Sequence, residues 1–267
     1  MRRSNHIALI FLFCAGMSCS LFRPKPPQTW QLVLQVGAPS ANPEAAVNQT
    51  IYVIQNRLQA LGVENWAVIN QGNGKVLVKL PDVQDRNRLK YVLTTGGKLE
   101  LAHVVGPPNP APFQTYSTKE EAIASLNSGG TVPTNRRVLP YTEREDPSAA
   151  PDTKWVLIES PPIIDGRDLR DASAVAGSFG ENYDIQFSLS KAGAAKFEFW
   201  TGANINEYLG VVLNDEVKSI AYIKSQMSDQ GIISGRFTKQ SAEDLALVLK
   251  SGALPAPIKI VSENAEK

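Results

Sequence analysis

His103, the run Ser188-Leu-Ser-Lys191 and the carboxylates Asp165, Asp168 and Asp171 are the residues of this 267-residue chain whose types and spacing could do chemistry. A Ser-x-x-Lys pattern supplies the nucleophile and its partner in serine acyl-enzymes, and a histidine can serve a Ser-His-Asp system. Three acids spaced by three could present oxygens to a divalent cation from one helical face. Each group also has a plainer reading. His103 alternates with Leu99, Leu101 and Val105 and so belongs to the apolar face of a strand, as a structural histidine. The one other histidine, His6, lies at the extreme N-terminus, which leaves His103 only carboxylates as companion ligands. Ser190 stands at a strand end leading into a helix, where a serine caps, and no Ser-Asp-Asn or Lys-Thr-Gly accompanies it. The three aspartates are interleaved with Arg167 and Arg170 without a calcium loop after them, and read as helix N-terminal acids favoured by the dipole. Gly72-Asn-Gly74 and Gly129-Gly130 are turn glycines, since neither continues into a phosphate loop. The sequence thus assigns no catalytic, cofactor-binding or metal-binding residue, and a non-enzymatic protein without a cofactor is expected. Phe197, Phe199 and Trp200 share one helix on different faces, one of them for the core and the rest available to line a binding surface.

Composition narrows the class. The chain has 27 Lys and Arg against 26 Asp and Glu, and two of those cations, Arg2 and Arg3, sit in the leader. A near-neutral chain without a basic run is no nucleic-acid binder, because phosphate contacts need clustered cations. At 43% hydrophobic, it has material for two modest cores.

Residues 1–19 read as a signal peptide: Arg2 and Arg3, an apolar run from Ile7 to Met17, and small residues around Ser18. The run is shorter than the ~20 apolar residues that span a bilayer. Cys14 and Cys19 are the only cysteines, so the part beyond the leader has neither disulfide nor catalytic thiol. Gly16-Met-Ser-Cys19 resembles a bacterial lipobox, with Gly16 where Leu or Val is usual, which makes Cys19 the candidate lipidation site. A leader cysteine without a role and an uncleaved apolar anchor are the alternatives. Residues 20–28, rich in proline, read as a stiff spacer.

The elements that would hold these residues follow from periodicity. From 29 to 105 the order is βαββαβ, a ferredoxin-like base domain: a strand at Leu32, Leu34 and Val36, and a helical stripe Val47, Ile51, Ile54, Leu58 and Leu61 stopped by Gly62. A hairpin around Gly72-Asn-Gly74, a helix through Leu89, Val92 and Leu93, and a fourth strand at Lys98 to Val105 complete it. Residues 106–151, with prolines throughout and one helix at Glu120 to Leu126, read as a connector. Residues 152–255 form a second α+β unit: a strand at Trp155 to Glu159, a short helix near Leu169 to Val175, a strand at Tyr183 to Leu189 and a helix at Lys191 to Trp200. A hairpin turning at Asn214-Asp215 follows. Thr238 then caps a helix with Ala242, Leu245, Ala246 and Leu249 on its apolar stripe, Gly252 stops it, and Pro255 and Pro257 make an elbow. Residues 256–267 hold a last strand and a tail.

Several of these segments carry a family pattern. The stretch GRFTKQSAEDLALVLKSGALPAPIKI, from Gly235 to Ile260, resembles the end of the first periplasmic domain of SecD, the export-machinery subunit. Gly166-Arg-Asp-Leu-Arg-Asp-Ala172, Lys191-Ala-Gly-Ala-Ala-Lys-Phe197 with Thr201, Ile54 to Gly62 (I-x-x-R-x-x-x-L-G) and Leu77-Val-Lys-Leu-Pro81 are similar to further SecD motifs in family order. The resemblance implies an α+β base with a mobile head that handles emerging preprotein, and partners that are exported polypeptide and Sec translocase subunits. It also implies that Ile258 to Val261 returns to pair with the first domain. The family's D-L-x-G-G element is absent near Gln28-Thr-Trp30, and the segment that in the family continues into membrane helices stops here at Lys267, so no proton-driven work is expected of this polypeptide alone. The expectation is a membrane-tethered, SecD-like module assisting export or folding on the periplasmic face of the envelope. The alternative is a structural or assembly lipoprotein reusing the fold.

Overall fold

The computed structural model describes residues 29–37, 42–106, 112–126, 133–143, 152–177 and 182–265. Cys14, Cys19 and the spacer lie outside them.

The base begins with β1 (Thr29–Val36), α1 (Pro43–Ala60), β2 (Ala67–Gly72), β3 (Lys75–Pro81) and α2 (Arg86–Thr94). Local chemistry fixes each boundary. Asn42 caps α1 by accepting from the Ala45 amide at 3.1 Å, with Pro43 in the first helical position, where no amide is needed. Asn73 and Gly74, with φ of 51° and 73°, form the two-residue turn that joins β2 to β3. Asp85 caps α2 through the Arg88 amide.

The rest of the chain runs β4 (Leu99–Val105), α3 (Lys119–Leu126), β5 (Arg136–Glu143), β6 (Asp152–Glu159) and β7 (Ile164–Asp165). After a single 3-10 turn at Gly166–Asp168 come β8 (Leu169–Ala176), β9 (Tyr183–Leu189), α4 (Lys191–Ala203), β10 (Tyr208–Leu213) and β11 (Glu216–Tyr222). The chain closes with β12 (Gln230–Phe237), α5 (Lys239–Lys250) and β13 (Ile258–Ala265).

The base sheet is antiparallel in the order β13-β1-β3-β2. The C-terminal strand therefore does return to the first unit, pairing from Val36 opposite Ile258 to Trp30 opposite Ala265. It takes the place expected of the fourth base strand, and this corrects the reading of 98–105. That segment, β4, crosses to the second unit and pairs with β10 along Leu99 to Val104. The reason is burial on both faces: Leu99 and Leu101 pack into the core with Phe187, while Ala102 and Val104 face the opposite way into a second cluster with Val156 and Ile158. An edge position in the base sheet would bury only one face. β13, with Ile258 in the base core and Val261 exposed, fits that edge.

In the second unit, β4, β10, β11, β5 and β6 pair in a closed circuit around Ala102, Val104, Leu139, Val156, Ile158, Val212 and Val217. Here the connector reading of 106–151 is corrected. β5 pairs with β6 over its whole length and buries Leu139, and α3 buries Ala122. Pro140 is tolerated in β5 because the strand meets its other neighbour, β11, through one residue pair.

A three-stranded antiparallel sheet, β12-β9-β8, packs beneath α4 and α5 through Ala172, Ile185, Phe187, Phe197, Ile233 and Leu245. The helix expected near Leu169 to Val175 is instead strand β8. Ala172 faces the core and Asp171 and Ser173 are exposed, so pairing with β9 overrides the helical preference of alanine.

Candidate functional site

The residues that looked chemical are held in separate structural roles. His103 Nδ1 lies 3.0 Å from Glu159 Oε2, Nε2 lies 3.3 Å from Glu207 Oε2, and the ring sits against Trp200 with centroids 5.5 Å apart. The two carboxylates flank opposite nitrogens and so do not converge on one point. Glu159 also pairs with Arg136. Burial works to raise the Glu159 carboxyl, but the Arg136 guanidinium and the His103 ring outweigh it and hold it below the usual range.

Ser190 caps α4, accepting from the Gly193 amide at 3.1 Å, while Ser188 Oγ accepts from Arg170 Nε at 3.3 Å. Asp165 and Asp168 cap the 3-10 turn reciprocally, Asp168 pairs with Lys196 at 2.8 Å, and Asp171 pairs with Lys250 at 2.9 Å. The acids are therefore capping and ion-pairing groups rather than the helix N-terminal acids their spacing suggested. The turn they cap is a single one rather than a helix. Among the described residues no three His, Cys, Asp or Glu gather where a metal ion could sit.

The helix α4 divides its aromatic residues as its period dictates. Phe197 and Thr201 share the buried face, Trp200 is half-buried against His103, and Phe199 is 80% exposed. Beside Phe199 and Trp200 is a hollow of about 490 Å³ whose wall includes Ile163, Pro161, Lys196 and His103. An exposed phenylalanine beside a hollow walled by Pro161, Ile163 and Trp200, with Glu159 and Lys196 also in its lining, offers side-chain burial to a partner.

A second feature, which sequence reasoning missed, joins the two units. Arg57 on α1 is fully buried with no carboxylate beside it. Its Nη1 donates to the carbonyls of Val92 (2.7 Å), Leu93 (3.3 Å) and Thr95 (2.6 Å) at the end of α2. Nη2 donates to Gly252 O at 3.1 Å and Nε to Ser251 Oγ at 3.2 Å, at the end of α5. The guanidinium thus neutralises the negative ends of two helices, one from each unit. Burial pushes its pKa down to about 10, leaving it charged at neutral pH. A signal was present: Arg57 lies three residues after Ile54 and beside Leu58, a lone cation on an apolar stripe. Nearby, Arg88 of α2 bonds the buried Asp244 of α5 at 2.7 and 2.8 Å, which raises Arg88. A cleft of about 770 Å³ opens at this joint between Tyr91, Thr95, Lys98, Asp215, Leu254 and Pro257.

Comparisons with known proteins agree on one lineage. Residues 47–106 match the family described as the N-terminal part of the P1 domain of protein translocase subunit SecDF, and residues 138–256 match the SecDF P1 head subdomain. Protein translocase subunit SecD of Koribacter versatilis (strain Ellin345) is 37% identical over 224 residues, covering 83% of this chain and 39% of that protein. The SecD subunit of Aquifex aeolicus (strain VF5) is 33% identical, covering 83% of this chain and 40% of that protein. This chain thus spans about two fifths of the length of the curated relatives it matches. Among solved structures, SecDF in its super-membrane-facing form superposes with a TM-score of 0.66 at 26% identity, over 89% of this chain and 30% of that one. A structure of SecDF, a membrane component that enhances protein export, superposes with a TM-score of 0.64 at 26% identity, over 88% of this chain and 100% of that one. With a base sheet closed by the C-terminal strand and a head matched across its length, the chain belongs to the SecD family, through the first periplasmic (P1) domain, base and head together.

Proposed function

We propose that this chain is a non-enzymatic, membrane-tethered module that captures exported polypeptide, or a translocase partner, outside the cytoplasm and so assists export or folding. The observation that carries the reading is the head's Phe199, 80% exposed beside the hollow at Trp200 and Ile163, in a P1 domain whose relatives are protein translocase subunits. Unfolded segments present apolar side chains that such a hollow buries at about 25 cal/mol per Å². A photo-crosslinking amino acid at position 199 is expected to trap nascent exported chains or Sec subunits in living cells. Adducts only to folded envelope proteins would replace the export reading with that of a structural lipoprotein.

The tether is assigned to Cys19. The lipobox-like Gly16-Met-Ser-Cys19 supports that reading, and acyl chains there would hold the protein through about 0.8 kcal/mol per buried methylene. Cys19→Ala is expected to abolish metabolic acyl labelling and to leave the leader uncleaved. A mature protein still acylated, or never acylated in the parent chain, removes the lipid from the proposal.

A further inference from the structure

A second hollow, of about 610 Å³, lies away from Phe199. Its walls are α1, at Asn56, Gln59 and Ala60, and the outer edge of β8, at Ala172 to Ala174, and its floor is Ala246 and Leu247 of α5. β8 is the terminal strand of its sheet, so among the described residues no strand pairs with that outer edge.

The register says which backbone groups the edge presents. Gly177 N bonds Asn182 O at 2.8 Å, so the pair 177–182 is a hydrogen-bonded one. In an antiparallel ladder the bonded pairs alternate, which makes Val175–Asp184 and Ser173–Gln186 bonded. Ala172, Ala174 and Ala176 therefore turn their N–H and C=O groups outward. The Asp171 carboxylate, held by Lys250, takes the Ala172 amide at 2.9 Å, consistent with that amide facing away from β9. Ala174 and Ala176 continue the row.

Edges of this kind are normally guarded by charges, proline or a bulge, because they template pairing with another chain. The Asp171 carboxylate guards the Ala172 amide, but from Ser173 to Ala176 β8 has none of these, and its one irregularity lies earlier, between Leu169 and Asp171. We infer that this edge is a β-addition site for an extended, uncharged stretch of another polypeptide, an inference that rests on the polypeptide-binding reading above. Outward N–H and C=O groups at every second residue are complemented by an extended backbone. The facing amides of Asn56 and Gln59 are neutral, and Glu243 and Lys250 at the floor's margin oppose each other in sign, so the site selects backbone rather than charge. With the Ala172 amide already taken, the open edge matches about four residues at ~3.3 Å each.

The test uses the full chain and a capped ten-residue peptide of alternating valine and serine carrying a fluorophore. Binding is expected to slow amide exchange at Ala174 and Ala176, while Ser173 and Val175, already bonded to β9, change little. Ala174→Pro removes an outward N–H without touching the β8–β9 ladder and should weaken binding at least tenfold. Should that variant fail to fold, Ser173→Lys, which places a charge on the exposed side of the strand, should weaken it several-fold. Equal binding by the parent chain and these variants overturns the edge site and leaves the export reading standing. Protection of Ala174 and Ala176 that rises with protein concentration alone makes the occupant a second copy and also overturns it. No peptide binding by the parent chain, together with no nascent-chain adducts at position 199, overturns both.

Discussion

Arg57→Ala is expected to cost roughly 3–5 kcal/mol of stability, because it empties a fully buried volume and leaves five acceptors without their donor. Those acceptors are the buried carbonyls of Val92 and Leu93 and the part-buried Thr95 O, Gly252 O and Ser251 Oγ, of which only the first two are cut off from solvent. Burying the cation has its own cost, on the order of 3 kcal/mol for a pKa pushed down to about 10, and hydrogen bonds to a charged donor oppose that cost. Arg57→Lys keeps the charge but gathers the donors at one point, which cannot span both helix ends, and should lose on the order of 2 kcal/mol. Thermal unfolding of Arg57→Ala should separate into a base and a head transition. One transition within ~1 kcal/mol of the parent in a urea titration would show that Arg88–Asp244 alone holds the joint. The pH dependence has a definite sign. The folded value lies below the unfolded one, so this group adds stability as pH rises through about 10 toward the ordinary guanidinium value, and the alanine variant lacks that increment.

Gly97→Ala should be the next most damaging change, at roughly 2–4 kcal/mol. Gly97 has φ of 72°, and an added Cβ would lie 2.7 Å from Val248 Cγ1 and 3.2 Å from Arg57 Nη2, so conformation and space both oppose it. Gly62, with φ of 67° and nothing within 4 Å of an added Cβ, isolates the first effect, and Gly62→Ala should cost ~1 kcal/mol. Equal urea midpoints for the two variants would mean that the contact of Gly97 with α5 contributes nothing.

What could be read from the sequence was whatever is decided within a few residues. Caps at Ser190 and Thr238, the Asn73-Gly74 and Asn214-Asp215 turns and the α1 stripe all appear where their local signals put them. β4 and β8 did not, because a strand's partner is chosen by both of its faces and by distant segments. Alternation at His103 located a strand without saying which sheet would hold it. The return of β13 came from family resemblance rather than from any property of Ile258 or Ile260. Likewise, three aromatics on α4 identified a candidate surface, but only the burial of Phe197 in the head core leaves Phe199 as the exposed one.

The pairing of β1 with β13 has a consequence for assembly order. A chain delivered N-terminus first presents β1 with one flank open until the far end arrives, whereas the pairs within β4 to β12 are all available earlier. Contacts between segments so distant in the chain close slowly, since the intervening loop must be gathered first. The head can therefore mature while the base is still incomplete, and sealing of the β1 flank marks the moment when the whole domain has been delivered.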